Sequence, residues 1–250
     1  MIKYNKKNVQ PDTVRQLHEK FNLSLLEASI FARRNITESS SLLYYLEEDL
    51  RFSHAPFLFK NMEDAVERIL SAKEEGEKVL IFGDRDVDGI TSTAILYSYF
   101  KSQGIDVQYR LPIGEDAYGL SINAIDDFAK DYGTLIITVD CGISNIKEID
   151  YANSLGIDVI VTDHHNPPEI LPNALTIIDP KVEDSGYPFK DISGAAVAYK
   201  LVSALRFAKS DLFNQELCLL DVSKNEYDSY VISCIKTRNL VKIDEFKEEI

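Results

Sequence analysis

Three carboxylates are crowded into the stretch VLIFGDRDVDG, at Asp84, Asp86 and Asp88. The apolar run before them predicts a short buried β-strand, and the residues after them have the periodicity of a helix. The acids are therefore expected between a strand end and a helix start. An ordinary turn needs one aspartate at most, and neighbouring carboxylates repel one another. A divalent cation such as Mg²⁺ or Mn²⁺ would relieve this repulsion, although a solvated acidic turn or a helix N-cap also fits the pattern.

Two further predicted strand ends carry groups that could bind the same cation. Asp140 ends the β-branched run in ITVDCGIS and could be a helix N-cap or a carboxylate that bridges two ions. Asp163, His164 and His165 end another apolar run, and the chain has only four histidines. Neutral imidazole is a ligand for Mn²⁺ and other transition ions, and Asp163 could orient a histidine through its second ring nitrogen. A polar turn with hydrogen-bonded histidines is the structural alternative.

Taken together, these groups describe a site for two metal ions. Such a site suits phosphoryl hydrolysis, because two ions about 3.5–4 Å apart can activate a water and stabilise both oxygens of an in-line displacement. The sequence contains no Walker loop, no G-x-S-x-G elbow and no G-x-G-x-x-G after a strand. Cys141 could be a nucleophile, but a packed thiol is the simpler interpretation.

The elements that must position these groups alternate along the chain. Strand-like runs, VLIF, VQYRLP, TLIITVD and DVIVTD, are separated by helical patterns, and a last strand-like run, ALTIID, ends at Asp179. This alternation predicts an α/β fold with a mainly parallel β-sheet and helices on both faces. Because the carboxyl ends of parallel strands meet at one edge of a sheet, we expect the acids and histidines to share one site.

Three regions are predicted along the chain. Residues 1–54 form an N-terminal helical arm with helical patterns at 11–35 and 39–50, and Pro56 marks the boundary. Residues 55–208 form the α/β domain. Residues 209–250 are predicted as a helical or insertion segment with one strand-like run, YVISCI, and an acidic helical pattern at its end.

Composition limits the class of protein. With 250 residues and 45% hydrophobic content, the chain can bury a large core. No apolar run reaches the roughly 18 residues that span a membrane, and the three cysteines are scattered, so a cytoplasmic location without membrane contact is expected. The net charge of −14 argues against a nucleic-acid partner, unless several of the acids bind metal ions.

A series of motifs along the chain resembles the DHH phosphoesterase superfamily in order and spacing: GDRDVDGITSTAIL, YGLS, TVDCGIS, VTDHHNP, IDP and YPFKDISGAAVAYKL. The similarity covers residues 79–205 and is greatest to the single-stranded-DNA exonucleases of that superfamily. It implies hydrolysis of single-stranded DNA from the 5′ end, in DNA repair and recombination, with two Mn²⁺ or Mg²⁺ ions. The end polarity and the preference for DNA follow from the resemblance alone.

The same resemblance implies a set of metal ligands. Asp86 and Asp88 would each bind one of the two ions, and Asp140 would bridge them. His164 would complete the shell of the second ion, and Asp84 would support or bind the first.

Groups that contact the substrate are also implied by the resemblance. His165 would meet the scissile phosphate. The backbone of Ser193, Gly194 and Ala195, at a helix start, would face substrate phosphate, since helix N-termini bind anions. Arg85 stands where the superfamily most often has a tyrosine, and could contact a phosphate or be a surface charge.

Besides Arg85, the chain departs from the superfamily pattern at three points. Phe82 stands where related small-substrate members have a histidine, so the first ion would be held more weakly or rely on Asp84. The further metal-binding aspartate of the superfamily has its nearest counterpart at Asp221, in LLDV. The substrate domain that follows in the exonucleases is missing after Ile250, so the chain is expected to be an N-terminal part of a longer protein or a reduced member.

Two rival functions stay open. A DHH phosphatase for short oligonucleotides or mononucleotides fits the acidic charge, whereas the YPFKDISGAA segment favours the exonuclease. A non-catalytic scaffold would have lost metal-binding residues, and this chain retains all of the strand-end acids and histidines named above.

Overall fold

The structure, a computed structural model, describes residues 7–47, 53–114, 117–213, 215, 218–224, 230–236 and 242–248. The chain separates into two compact units at the boundary between Ser53 and His54. None of the helices in the described ranges is long and apolar enough to cross a membrane.

The first unit contains three helices, α1 (Pro11–Phe21), α2 (Leu25–Arg33) and α3 (Ser39–Leu46). The sequence pattern predicted one helix through residues 11–35, and this is wrong because the chain turns at Asn22, which has a φ of 51°. Ser24 and Glu27 then form a reciprocal capping box that begins α2. Asparagine tolerates the left-handed conformation, so the chain can turn at this residue. The apolar spacing continues on both sides of the turn, and the sequence pattern therefore does not reveal it.

The second unit is built on a parallel sheet. Its strands are β1 (Lys78–Gly83), β2 (Asp106–Arg110), β3 (Leu135–Val139), β4 (Asp158–Thr162) and β5 (Thr176–Ile178). All neighbouring strands are parallel, in the order β2–β1–β3–β4–β5. In this register Ile81 of β1 lies between Tyr109 of β2 and Ile137 of β3. The predicted parallel α/β fold is therefore confirmed.

Helices cover both faces of this sheet. They are α4 (Met62–Glu74), α5 (Val87–Ser102), α6 (Ile122–Lys130), α7 (Ile146–Ser154) and α8 (Gly194–Ala208), and a short 3-10 helix at Pro56–Leu58 precedes α4. Because side chains alternate along a strand, Val79 and Ile81 pack with α4, α5 and α8, whereas Leu80 and Phe82 pack with α6 and α7. Phe82 thus belongs to the core.

The direction of the strand order reverses between β1 and β3. In open α/β sheets such a reversal leaves a crevice at the carboxyl ends of the two strands, and ligands bind there. Asp84 directly follows β1 and Asp140 directly follows β3. The two acids therefore lie at this crevice.

A separate antiparallel sheet follows α8, with strands β6 (Cys218–Lys224), β7 (Tyr230–Lys236) and β8 (Lys242–Glu248) in the order β6–β7–β8. The strand-like run YVISCI lies in β7, as its pattern predicted. The helical expectation for the acidic end is wrong, because that stretch forms β8. Lysine and glutamate favour helices only weakly, and backbone pairing with a neighbouring strand overrides that preference.

Candidate functional site

An aspartate directly follows each of four parallel strands: Asp84 after β1, Asp140 after β3, Asp163 after β4 and Asp179 after β5. Their exposed fractions are 7%, 1%, 0% and 1%. Carboxylates are seldom buried so completely unless hydrogen bonds, a cation or a metal ion compensates the lost hydration. The carboxyl edge of the sheet is therefore where the chain concentrates its buried charge.

The turn from β1 to α5 holds two of the predicted ligands in different ways. Asp86 is the N-cap of α5, and its Oδ1 accepts a hydrogen bond of 2.9 Å from the Gly89 amide. The Oδ1 atom of Asp84 is buried and accepts no hydrogen bond from the residues that the structure describes. Gly89 permits this tight turn, because a Cβ there would lie 2.4 Å from the Asp84 carbonyl oxygen.

Asp88, in the first turn of α5, reaches across to α8. Its Oδ2 accepts a hydrogen bond of 2.7 Å from the Gly194 amide, and its Oδ1 accepts one of 2.7 Å from the Ala195 amide. His164 Nε2 lies 3.4 Å from Asp88 Oδ2. The start of α8 is thus joined directly to the acidic turn.

Asp140 is the most central of the acids. It has a φ of 59°, and its Oδ1 lies 2.9 Å from His164 Nε2. Burial, together with the nearby negative charges of Asp88 and Asp86, raises the pKa of Asp140 to about 7. A carboxylate in this environment gains from any cation that neutralises it.

Asp163 orders the two histidines that follow it. Its Oδ1 accepts hydrogen bonds from the amides of His164 (2.7 Å) and His165 (3.2 Å) and lies 2.7 Å from His165 Nδ1. Its Oδ2 accepts one from the Ile143 amide at 3.0 Å. Burial alone would raise the pKa of Asp163, but the hydrogen bonds hold it below its ordinary value. The bond to Asp163 in turn raises the pKa of His165.

Five of the predicted site residues form two groups that share one member, and the second group includes His165, which was predicted to contact the substrate. Oxygens of Asp84, Asp86 and Asp140 lie within 4.8 Å of one another. Ligand atoms of Asp140, His164 and His165 do the same. Asp140 therefore stands between two sets of hard and borderline donors, which is the arrangement that a bridging carboxylate needs.

The other predicted site residues have different positions. Arg85 is exposed, and its Nη1 donates to the Gly114 carbonyl at 2.8 Å. Ser193 is the N-cap of α8 and accepts from the Ala196 amide. Asp221 lies in β6 opposite Ser233, and its side chain is outside the described part of the chain.

Cys141 is fully buried and points its Sγ at the Phe82 carbonyl, 3.7 Å away. Burial raises the pKa of this thiol well above its ordinary value, so the reactive thiolate is disfavoured. The interpretation as a packed thiol fits the structure.

Tyr118 is a site residue that the sequence analysis did not single out. Its hydroxyl donates to the Asp140 carbonyl at 3.2 Å and lies 3.3 Å from His165 Nδ1. Asn145 holds the loop that carries it, through hydrogen bonds to the amide and the carbonyl of Leu120. The motif YGLS was the available signal, but the contact of Tyr118 with a residue far along the chain is not readable from it.

Fold and site together define an α/β protein with an acid–histidine centre at the switch point of its parallel sheet. The chain belongs to the DHH family, because the family model described as "DHH family, N-terminal domain" matches residues 78–224.

Several relatives are similar to this chain. It is 37% identical over 196 residues to the single-stranded-DNA-specific exonuclease RecJ of Bacillus subtilis (strain 168), covering 78% of this chain and 25% of that protein. It is 44% identical over 147 residues to the protein of the same name from Escherichia coli (strain K12), covering 58% of this chain and 26% of that protein. The chain thus spans about a quarter of the length of these curated relatives.

Two solved structures of RecJ are also similar to this chain. RecJ from Thermus thermophilus in complex with Mn²⁺ matches with a TM-score of 0.60 and 27% identity, over 80% of this chain and 28% of that chain. A structure of exonuclease RecJ bound to manganese matches with a TM-score of 0.55 and 33% identity, over 60% of this chain and 38% of that chain.

Proposed function

We propose that this chain carries the catalytic DHH part of a metal-dependent phosphodiesterase that shortens single-stranded DNA from its 5′ end. The observation that carries the proposal is the position of Asp140, shared by two groups of ligand atoms at the switch point of the sheet. The similar proteins are named single-stranded-DNA-specific exonucleases, which supports the substrate. The 5′ polarity and a role in DNA repair and recombination rest on the family resemblance.

The donor set suits divalent ions on its own chemistry. The Oδ1 atom of Asp84 is buried and accepts no hydrogen bond within the described ranges, and the buried Oδ1 of Asp140 faces the His164 imidazole at 2.9 Å. Carboxylates and imidazoles are ligands that Mn²⁺ accepts, and the similar RecJ structures contain Mn²⁺. The proposed cofactor is therefore a pair of Mn²⁺ or Mg²⁺ ions.

Each ion is assigned three residues, and Asp140 is common to the two sets. Asp84, Asp86 and Asp140 would hold the first, and Asp140, Asp88 and His164 would hold the second. Asp221 stays a prediction as a further ligand. Ions held there would lower the pKa of a bound water and neutralise charge on the reacting phosphate.

The substrate phosphate is proposed to meet His165. Because Asp163 engages Nδ1, the imidazole can offer only Nε2 to a substrate. The same contact raises the pKa of His165, so the protonated ring can donate a charge-assisted hydrogen bond to a phosphate oxygen. Arg85, exposed beside the acidic turn, is proposed as a second cationic contact for the strand. A cytoplasmic location stays a prediction.

The test is cleavage of single-stranded oligonucleotides, labelled at the 5′ or the 3′ end, in Mn²⁺, Mg²⁺ or a chelator. Wild type is compared with Asp140→Asn, which keeps the shape of the side chain and removes the shared charge. The matched control is Asp184→Asn, because Asp184 is an exposed acid outside the site, with 87% of its side chain accessible. We expect metal-dependent release of short products from the 5′ end in wild type and the control.

Loss of a shared ligand should lower the rate by at least 10²-fold in Asp140→Asn, on the scale of other transition-state interactions. Release from the 3′ end would contradict the proposed polarity. Hydrolysis of only mononucleotides or two-to-five-residue oligomers would favour the phosphatase instead. Strand binding without any hydrolysis would favour the scaffold.

A further inference from the structure

The N-terminus of α8 is the segment that the family resemblance assigned to substrate phosphate. An α-helix begins with backbone amides that have no partner within the helix, and such amides bind anions when they are available. Whether the first amides of α8 can bind an anion therefore depends on the acceptors to which they already donate.

The amides of the first turn of α8 all have partners within the chain. Gly194 and Ala195 donate to the two oxygens of Asp88, each at 2.7 Å. The Ala196 amide donates to Ser193 Oγ at 3.2 Å, and the Val197 amide donates to the Ser193 carbonyl at 3.1 Å. A phosphate that bound here would have to displace Asp88.

Gly194 connects the same helix start to Asp140. A Cβ at this position would lie 2.6 Å from Asp140 Oδ1 and 2.8 Å from Asp140 Cβ. The backbone of α8 therefore packs directly against Asp140, and no side chain fits between them. One helix start thus contacts two of the proposed metal ligands.

We propose that the α8 N-terminus is a positioning device for the metal ligands Asp88 and Asp140, and that its amides do not bind substrate phosphate. Two charge-assisted hydrogen bonds and the helix dipole stabilise the Asp88 carboxylate before any ion arrives. Asp88 Oδ2 stays 3.4 Å from His164 Nε2, so the held carboxylate still faces the histidine side of the site. Outer contacts of this kind lower the ordering cost of metal binding. The inference rests on the metal dependence in the proposed function.

The test measures Mn²⁺ binding to the full 250-residue chain without nucleic acid, by electron paramagnetic resonance of free Mn²⁺. Ala195→Pro removes one amide donor to Asp88 at the second position of α8, where the lost amide makes no hydrogen bond within the helix. Ala195→Ser keeps the amide and is the conservative variant. Single-strand affinity is measured separately in a chelator, by fluorescence anisotropy.

We expect Ala195→Pro to weaken Mn²⁺ binding by about 10–100-fold, with Ala195→Ser close to wild type and single-strand affinity in chelator unchanged in both. Far-ultraviolet circular dichroism and the melting temperature verify folding. If Ala195→Pro does not fold, Gly194→Ala replaces it, because its Cβ would press on Asp140.

Unchanged Mn²⁺ affinity in a folded Ala195→Pro protein would overturn the inference, as would a loss confined to single-strand affinity, which would mean that the amides bind phosphate. Wild type that binds no Mn²⁺ would overturn it as well. Wild type that binds Mn²⁺ but cuts no strand would refute the proposed nuclease activity and leave the positioning role of α8 open to the same test, since the Mn²⁺ affinities are compared without substrate.

Discussion

At the scale of single residues, Asp163 shows how a buried charge is kept in place. One of its oxygens accepts hydrogen bonds from the amides of His164 and His165 and contacts Nδ1 of the His165 ring. The other oxygen accepts a hydrogen bond from the Ile143 amide. Hydrogen bonds to the ionised form outweigh the cost of burial, so the pKa of Asp163 is lowered. The side chain thereby determines which nitrogen of His165 is available for chemistry.

Replacing Asp163 by asparagine should lower the pKa of His165. The hydrogen bond to Asp163 is the largest cause of the raised pKa, and an amide provides no negative charge. The measurement is a nuclear magnetic resonance titration of the imidazole ring in a chelator, with the His165 signal assigned by His165→Gln. Asp184→Asn is the control and should leave the curve in place. An unchanged His165 pKa in Asp163→Asn would show that the pair does not interact in solution.

At the scale of elements, the junction between β1 and α5 depends on close backbone approach. Gly89 lies in the first turn of α5, where alanine would normally be the better helix former by about 1 kcal/mol. Its position against the Asp84 carbonyl reverses that preference, because a Cβ at residue 89 would overlap with the backbone of Asp84. The helix can start next to the acids only because this residue has no side chain.

Gly89→Ala should therefore destabilise the protein by about 1–3 kcal/mol, the usual cost of overpacking, in place of the ordinary gain. Urea unfolding in a chelator measures the change as a lower midpoint with the same slope. Ser98→Ala, at an exposed position of the same helix, is the matched control and should be neutral or slightly stabilising. A more stable Gly89→Ala protein would mean that the turn relaxes freely.

At the scale of the whole molecule, charge is distributed unevenly over the two edges of the sheet. At the edge where the strands begin, Arg68 pairs with Glu77 at 2.7 Å and with Asp158 at 2.6 Å. At the carboxyl edge, buried acids outnumber cations, and Asp179 has one buried oxygen without a hydrogen bond among the described residues. Burial, with the charge of Asp163 nearby, raises the pKa of Asp179 to about 6.

This shift has a defined consequence for the pH dependence of stability. Between the unfolded pKa of about 3.9 and the folded value of about 6, the native state binds more protons than the unfolded state. The contribution of Asp179 to the free energy of unfolding is thus complete below its unfolded-state pKa. It is lost as the pH rises from the unfolded-state pKa through the folded-state pKa.

Asp179→Asn should remove this loss and stabilise the metal-free protein at pH 8 by on the order of 2 kcal/mol. At pH 4 the two proteins should be nearly equal. The measurement is urea unfolding in a chelator at several pH values, with Asp184→Asn as the exposed control. Equal stability of Asp179→Asn and wild type at pH 8 would contradict the raised pKa.

Much of the fold was predictable because its signals are local. Apolar runs of β-branched residues placed β1, β3 and β4 within a few residues of their observed bounds, and helical periodicity predicted the helices between the strands. Predictions failed where local preference and tertiary pairing disagree. Asn22 breaks a continuous apolar pattern, and β8 pairs a charged sequence with β7.

The sequence by itself determined the parallel α/β class and the chemical types of the site, because strand-end acids and histidines are readable from order and spacing. Only the tertiary structure decided which groups meet. Asp88 binds the amides of Gly194 and Ala195, more than a hundred residues away, and Tyr118 reaches His165. Such contacts depend on how α5 and α8 pack and how the loop before α6 is held. A local pattern cannot encode that packing, since hydrogen bonds require positions accurate to a fraction of an ångström.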